Sequence, residues 1–286
     1  MKTIDYLEAN RLLVDAALER FLPDAQTRPA VLHEAMHYSV LNGGKRIRPI
    51  LCLAAAEAFG VSAERAIRSA VALELFHCST LVHDDLPCMD DDALRRGLPT
   101  CHIQFGEANA VLTGDALLIQ AFELLASESG ALVLELARAA GSRGVIAGQV
   151  EDLAAEGVAP NAELVEFIHL HKTAVLIRAA VRMGGLLGGA SNSDMEVLTL
   201  FGEKIGLAFQ IEDDILDETS TNEVLGKPAG SDLEHQKLTY PAVYGLAVAR
   251  EKVKQLTEEA VEALRALSTD ATRLCEVAEF LMNRSS

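Results

Sequence analysis

The sequence lacks the features that mark secreted, membrane-spanning and disulfide-bonded proteins. Its five cysteines form no CxxC pair, which is typical of a reduced, cytoplasmic protein. It contains no run of 18 apolar residues, so we expect no transmembrane segment. Residues 1–8 carry acidic side chains and no apolar core, so we expect no signal peptide.

Basic residues are also scarce. The chain has 25 lysines and arginines against 42 acidic residues, which gives a formal net charge of −17. This charge argues against binding nucleic acid through a broad basic surface. It also makes any local cluster of cations stand out.

Strand signals are rare, because alanine and leucine dominate and β-branched residues seldom alternate with polar ones. A length of 286 residues without a linker-like tract fits one large domain or two small ones. Helices are predicted at 3–21, 30–41, from the turn containing Pro49 to about Phe59, and at 63–84, 106–128, 131–155, 161–187, 193–217, 239–265 and 270–283.

Five acidic side chains crowd the nine positions from Asp84 to Asp92. Neighbouring carboxylates repel by about 4 kcal/mol at 4 Å unless a cation lies between them. Carboxylate oxygens suit Mg²⁺, and the downstream pair Arg95 and Arg96 suits phosphate groups. A solvated acidic loop is the alternative reading.

Pro87 gives this acidic segment a predicted shape. On a straight helix Asp84 and Asp90 would lie about 240° apart. Proline lacks an N–H group and clashes with the preceding turn, so the helix should end near it. Asp90 and Asp91 would then fold back towards Asp84.

A basic segment, Gly43-Gly44-Lys45-Arg46-Ile47-Arg48-Pro49, places three cations in four residues. On a helical turn Lys45 and Arg48 would point the same way. In so acidic a chain this cluster predicts anion recognition. The alternative is a helix start paired with surface acids, although cations are unfavourable there.

A second acidic segment, residues 210–217, interrupts an apolar helix without any proline. Gln210, Asp213 or Asp214, and Asp217 share one helical stripe. Buried carboxylates need partners. Two such motifs on apolar helices therefore favour a shared site for several metal ions.

These motifs together resemble those of the trans-isoprenyl diphosphate synthases. The resemblance rests on GGKRIRP, DDLPCMD followed by RRG, the HKT tripeptide and FQIEDDILD, and runs from about residue 35 to 245. It implies a single all-α domain, 1–286, of roughly ten helices around a deep central cavity, and usually a homodimer. It also implies the reaction, in which an allylic diphosphate ionises and isopentenyl diphosphate attacks the resulting cation.

The resemblance also implies roles for individual residues, with three Mg²⁺ ions per site. The metal ligands would be Asp84, Asp85, Asp90, Asp213 and Asp217. The allylic diphosphate would contact Arg95, Lys172 and Lys227, with Lys237 as a further cation, and isopentenyl diphosphate would contact Lys45, Arg48, His77 and Arg96. Thr173 and Gln210, with Lys172, would orient dipoles towards the cation, and the released diphosphate would take the final proton.

Product length should depend on the helix before Asp84. In relatives with a similar acidic motif, an aromatic residue five positions before the first aspartate accompanies fifteen-carbon products. That position is the small Ser79, and five residues of helix rise about 7.5 Å. Phe76 would form the floor, which predicts geranylgeranyl diphosphate, with farnesyl diphosphate as the alternative. The starters would be dimethylallyl, geranyl or farnesyl diphosphate.

Other classes of protein remain open at this point. A helical di-iron carboxylate protein is one, because Glu-x-x-His occurs at Glu34, Glu74 and Glu166. That reading gives no role to GGKRIRP or to the aspartate motifs. A terpene cyclase would need a different second motif, and a non-catalytic subunit usually loses one of the two aspartate motifs.

Overall fold

A computed structural model of the chain describes residues 2–219 and 237–282. Apart from a hairpin of two two-residue strands, the regular structure of these residues is helical. This confirms the predicted all-α class. The elements, in order, are α1 (Thr3–Phe21), α2 (Ala30–Leu41), α3 (Ile47–Ala58), α4 (Ala63–Asp84), β1 (Leu94–Arg95), β2 (Leu98–Pro99), α5 (Cys101–Phe105), α6 (Glu107–Ala126), α7 (Gly130–Ala140), α8 (Val145–Ala154), α9 (Ala162–Ile168), a π-helical segment (His169–Ala174), α10 (Val175–Leu187), α11 (Asn192–Thr219), α12 (Tyr240–Tyr244), α13 (Leu246–Leu264) and α14 (Thr272–Met282).

Three predicted helices are interrupted. Residues 141–144 separate α7 from α8 inside the tract predicted at 131–155, and the tract predicted at 161–187 contains the π-helical segment. Gly245 separates α12 from α13 at a φ of 83°, a left-handed conformation that glycine adopts without steric cost. The hairpin β1–β2, with Leu94 opposite Pro99, and the short helix α5 were not predicted from the sequence.

The helices group into two compact units, neither of which is continuous in sequence. Unit 1 comprises residues 1–50 and 67–133, and unit 2 comprises residues 51–66 and 134–286. The single domain implied by the resemblance stays a prediction, as does its central cavity.

The core of unit 1 includes the inner face of α6, where Ala110, Leu117, Ala121 and Leu125 are fully buried. These residues are spaced by seven, four and four, which places them on one helical face. In unit 2, α11 contributes Ala208, Ile211 and Ile215 to a buried apolar cluster with α13 and neighbouring helices. Helix α4, which leads into the first acidic motif, likewise buries Val71, Leu75 and Val82. Each acidic motif is therefore attached to a helix that an apolar face holds in place.

Candidate functional site

The first acidic motif has the predicted shape. Helix α4 ends at Asp84, and the backbone N–H of Asp90 donates to the carbonyl of Asp84 at 2.9 Å. The N–H groups of Met89 and Asp91 both donate to the carbonyl of Leu86, at 2.8 and 3.1 Å. The loop around Pro87 thus returns Asp90 to the end of the helix, as the prediction required.

Asp85 is the buried acid of this motif. It is 3% exposed, and one of its carboxylate oxygens accepts two hydrogen bonds from Arg95. Arg95 also donates to Asp92 at 3.0 Å. Burial raises the pKa of Asp85, and Arg95 opposes that rise. In this structure Asp85 anchors Arg95, and its role as a metal ligand stays a prediction.

The three cations of the basic segment differ in their exposure: Lys45 is exposed, Arg48 is half-buried and Arg46 is buried. Helix α3 begins at Ile47, so Lys45 is exposed ahead of the helix while Arg48 lies on it. The expected helical turn joining these two residues is therefore wrong. Arg46 adopts a φ of 50° and is buried. Its guanidinium donates to Glu74 at 2.7 Å and to Asp15 at 2.8 Å, so it is part of the scaffold of unit 1.

His77 is surrounded by arginines. Its Nε2 lies 3.3 Å from Nη1 of Arg48, and because guanidinium only donates, Nε2 accepts. Burial and the nearby positive charges of Arg48 and Arg96 hold the pKa of His77 well below its usual value. A neutral His77 then carries its proton on Nδ1, where it is able to donate to an anion.

The hairpin brings Arg96 to the glycine-rich end of the basic segment. Arg96 donates to the side-chain oxygen of Asn42 at 2.8 Å and to the carbonyl of Gly43. Both acceptors are neutral, so they orient the guanidinium without cancelling its charge. Unit 1 thus brings together Arg48, His77 and Arg96, three of the four residues predicted to bind isopentenyl diphosphate, around one electropositive region.

The residues predicted to set product length lie in the interior of α4. Ser79 and Phe76 are 2% and 3% exposed, and the Ser79 hydroxyl donates to the carbonyl of Phe76 at 2.7 Å. The hydroxyl is therefore satisfied by its own helix. The two residues lie one turn apart.

In unit 2, Lys172 and Thr173 lie in the π-helical segment His169–Ala174. Two glycines let other helices approach this segment closely. A side chain at Gly148 of α8 would stand 2.2 Å from the backbone nitrogen of Lys172, and one at Gly206 of α11 would stand 2.5 Å from Cα of Ala174. π-Helical turns are rare and are frequent at functional sites. No feature of the sequence predicted this one.

Sequence reasoning also missed Asp152, a buried carboxylate on α8. Its Oδ2 lies 2.6 Å from Nζ of Lys172 and 3.4 Å from Nζ of Lys237. Burial by itself raises the pKa of Asp152, but the two lysines outweigh burial and the pKa is lowered. Asp152 therefore bridges Lys172 and Lys237, which are both predicted to bind substrate. Lys227, the other lysine assigned to substrate, lies outside the described residues.

The second acidic motif lies on one continuous helix, α11. The Gln210 side chain donates to Asp214 at 2.9 Å, so Asp214 rather than Asp213 is the i+4 partner of Gln210. The Thr173 hydroxyl donates to the Gln210 carbonyl oxygen at 2.6 Å. Asp213 is half-buried and Asp217 is buried.

A preformed metal cage is not seen. Among residues 2–219 and 237–282, no three histidine, cysteine or acidic side chains stand close enough together to hold an ion. The donor set nonetheless fits Mg²⁺, because both motifs offer carboxylate oxygens and Mg²⁺ is usually held by one or two carboxylates plus substrate phosphates. In the first motif the backbone hydrogen bond brings Asp90 to Asp84, and these two residues are the candidate carboxylates.

Comparison with known proteins supports the class that the fold and motifs indicate. Residues 29–277 match the family described as polyprenyl synthetase. The chain is 47% identical over 280 residues to the large subunit 1 of a heterodimeric geranylgeranyl pyrophosphate synthase of Arabidopsis thaliana, with 93% of this chain and 75% of that protein covered. It is 41% identical over 292 residues to a geranylgeranyl diphosphate synthase of Cyanophora paradoxa, with 99% and 97% covered.

A solved structure agrees. The geranyltransferase of Helicobacter pylori, complexed with magnesium and isoprenyl diphosphate, superposes with a TM-score of 0.84 at 33% identity, covering 99% of this chain and 97% of that one. The chain belongs to the polyprenyl synthetase family and is a trans-prenyltransferase. The di-iron alternative is thereby set aside, and its candidate ligand Glu74 is paired with Arg46.

Proposed function

We propose that the enzyme condenses allylic diphosphates with isopentenyl diphosphate head to tail and releases mainly geranylgeranyl diphosphate. The observation that carries this proposal is the pair of intact aspartate motifs in a chain of this family. Relatives named geranylgeranyl diphosphate synthase, at 41% and 47% identity, support the product. Farnesyl diphosphate is the alternative product.

The proposed metal ligands are Asp84, Asp90, Asp213 and Asp217, with Asp85 as a further candidate and three Mg²⁺ ions. When bound, the ions would stabilise the negative charge that develops on the departing diphosphate. The magnesium in the Helicobacter pylori relative supports the choice of metal.

The chain's own residues would divide the remaining work between two diphosphates. Arg48, His77, Arg96 and Lys45 would bind isopentenyl diphosphate, since charge-assisted hydrogen bonds to phosphate are the strongest kind. Arg95, Lys172 and Lys227 would hold the allylic diphosphate, with Lys237 as a further cation. Asp85 contacts Arg95, and Asp152 contacts Lys172 and Lys237. Thr173 and Gln210 would face the allylic cation.

The test of product length uses Ser79 and Phe76. Wild-type protein with labelled isopentenyl diphosphate and dimethylallyl, geranyl or farnesyl diphosphate should give twenty-carbon product, identified by chromatography against standards. Ser79→Tyr should shorten the product by one five-carbon unit, and Phe76→Ala should lengthen it. Cys78→Ala on the same helix is the matched control and should leave the product distribution unchanged. Wild type that stops at fifteen carbons, with Phe76→Ala giving the same product, would refute the proposed floor.

We also propose a homodimer. Support comes from the outer face of α6, where the apolar side chains of Val111, Leu112 and Ile119 are 42%, 56% and 65% exposed. Contiguous exposed apolar surface commonly marks a protein interface. Ile119→Lys should lower the molar mass measured by light scattering to that of one chain, and an unchanged mass would count against this face.

Helix α6 also bears on the expected absence of a transmembrane segment. By length and composition it is the one helix of the described residues that could cross a membrane, and 39% of its most apolar window is buried. The same helix supplies core residues of unit 1, which favours a buried helix over a spanning one. The absence of a spanning segment stays a prediction. The cytoplasm stays the proposed compartment, and the five cysteines are free thiols in the structure. Fractionation of cells with an antibody would test it.

A further inference from the structure

A directed chain of hydrogen bonds runs through unit 2 from the π-helical segment to the second acidic motif. The Thr173 hydroxyl donates to the Gln210 carbonyl oxygen at 2.6 Å, and the Gln210 amide nitrogen donates to Oδ1 of Asp214 at 2.9 Å. The other oxygen of Asp214 accepts from the backbone N–H of Tyr240 at 2.8 Å and lies 3.2 Å from Nε2 of His169.

The carboxylate sets the direction of the whole chain. Asp214 is 4% exposed, and both of its oxygens accept hydrogen bonds from within unit 2. An ionised carboxylate has no proton to donate. Gln210 must therefore turn its NH₂ group towards Asp214 and its carbonyl oxygen towards Thr173. The single hydroxyl proton of Thr173 is then engaged by that carbonyl.

This arrangement determines which part of the Thr173 hydroxyl is available to a substrate. Because its proton is held by Gln210, any group that approaches Oγ1 from another direction meets a lone pair. A lone pair stabilises a neighbouring positive charge, whereas a hydroxyl proton would destabilise it. A preorganised dipole of this kind needs no reorientation when the charge appears.

We propose that Asp214 is a positioning residue that fixes the polarity of Gln210 and Thr173, so that Thr173 presents a lone pair to the electron-deficient allylic carbon. The inference rests on the proposed function. It also separates Asp214 from the metal ligands proposed for the same motif. Its neighbour Asp213 is the matched control, since the two residues share a helix and a side-chain type.

The substitution Asp214→Asn should reverse this polarity. If the oxygen of the introduced amide faces the backbone N–H of Tyr240, its NH₂ group opposes the NH₂ group of Gln210. The Gln210 amide would flip, donate to Thr173, and release the hydroxyl proton towards the substrate. We expect kcat to fall about 10- to 100-fold, as for other small misplacements of catalytic groups, while KM for both diphosphates changes little.

Two measurements separate this role from metal binding. In excess chelator, Asp214→Asn should lower the thermal unfolding midpoint by a few degrees, because the charge-assisted hydrogen bonds of a buried carboxylate are replaced by weaker neutral ones. Its Mg²⁺ concentration for half-maximal activity should match wild type. Asp213→Asn should instead raise the Mg²⁺ concentration for half-maximal activity, because Asp213 is a proposed metal ligand. If Asp214→Asn shows the pattern expected for Asp213, Asp214 is a metal ligand and the inference is overturned.

The decisive variant exchanges the amide of position 210 and the carboxylate of position 214. In Gln210→Glu with Asp214→Asn, the carboxylate introduced at position 210 accepts from both the amide introduced at position 214 and the Thr173 hydroxyl, and the total charge is unchanged. We expect this double variant to recover at least tenfold of the kcat lost in Asp214→Asn and most of its unfolding midpoint. A double variant no more active than the single one overturns the inference. Wild type that forms no prenyl product from any starter overturns the proposed function itself.

Discussion

Removal of Glu74 should reveal how strongly the basic segment depends on a buried ion pair. Arg46 and Glu74 are both 2% exposed and lie 2.7 Å apart. Arg46 also donates to Asp15 at 2.8 Å and to the carbonyl of Val40 at 2.7 Å. Without these contacts burial would lower the pKa of Arg46, yet Glu74 and Asp15 raise it. Arg46 is thus a permanently charged group held away from water.

The expected cost follows from that environment. Truncating one partner of a buried ion pair costs about 3–5 kcal/mol, because the remaining charge is left buried. Asp15 would still contact Arg46, so we expect Glu74→Ala to cost about 3 kcal/mol, at the lower end of that range. Replacing both partners, as in Arg46→Met with Glu74→Leu, should recover most of the loss, since apolar pairs of similar volume often match a buried ion pair.

The assay is urea unfolding followed by circular dichroism, with chelator present. The unfolding free energy should fall for Glu74→Ala at an unchanged denaturant slope. Glu8→Gln, which removes the charge from an exposed partner of Arg11, is the control and should leave the midpoint unchanged. A loss of unfolding free energy below about 1 kcal/mol for Glu74→Ala would contradict this stabilising role of the ion pair. A double variant no more stable than the single one would contradict it as well.

Three further predictions concern the site itself. Activity should require a divalent metal, and Asp84→Asn should lower kcat by orders of magnitude without loss of helical structure; turnover by wild type in excess chelator would contradict this. Arg48→Ala should raise KM for isopentenyl diphosphate more than KM for the allylic substrate, because a charge-assisted contact contributes about 1.5–3 kcal/mol. Lys227→Ala should raise KM for the allylic substrate more. Equal effects of both variants on both substrates would refute the assignment. Asp152→Asn should loosen Lys172 and raise KM for the allylic substrate. Because the folded-state pKa of Asp152 is lowered, its contribution to stability should be complete above its unfolded pKa of about 3.9 and lost as pH falls through the folded value. Unfolding curves across that range should therefore differ between wild type and Asp152→Asn near neutral pH and converge in acid.

Features governed by neighbouring residues could be predicted from the sequence. Pro87 cannot extend a helix, and α4 ends three residues before it, at Asp84. The absence of proline in 210–217 likewise predicts an unbroken helix, and α11 runs from Asn192 to Thr219. In both cases the physical cause lies within one helical turn of the residue concerned.

Features that depend on distant partners could not be predicted. Arg46 carries the same charge as Lys45 and Arg48 in sequence, but contacts with Asp15 and Glu74, 31 and 28 residues away, draw it into the core. Asp152 gave no signal, because its lysine partners lie 20 and 85 residues away. The π-helical segment packs closely against two other helices at Gly148 and Gly206, which are distant from it in sequence.

One acid in each motif accepts hydrogen bonds from neighbouring residues, and these bonds bear on its role as a metal ligand. Asp85 accepts hydrogen bonds from Arg95, and Asp214 accepts them from Gln210 and the backbone of Tyr240. A carboxylate oxygen that already accepts a short hydrogen bond has fewer lone pairs for an ion. We therefore expect the two motifs to supply fewer metal ligands than they have aspartates. Replacing Asp85 or Asp214 should disturb the position of Arg95 or Thr173 before it disturbs metal affinity, whereas replacing Asp84 or Asp213 should act on the metal first.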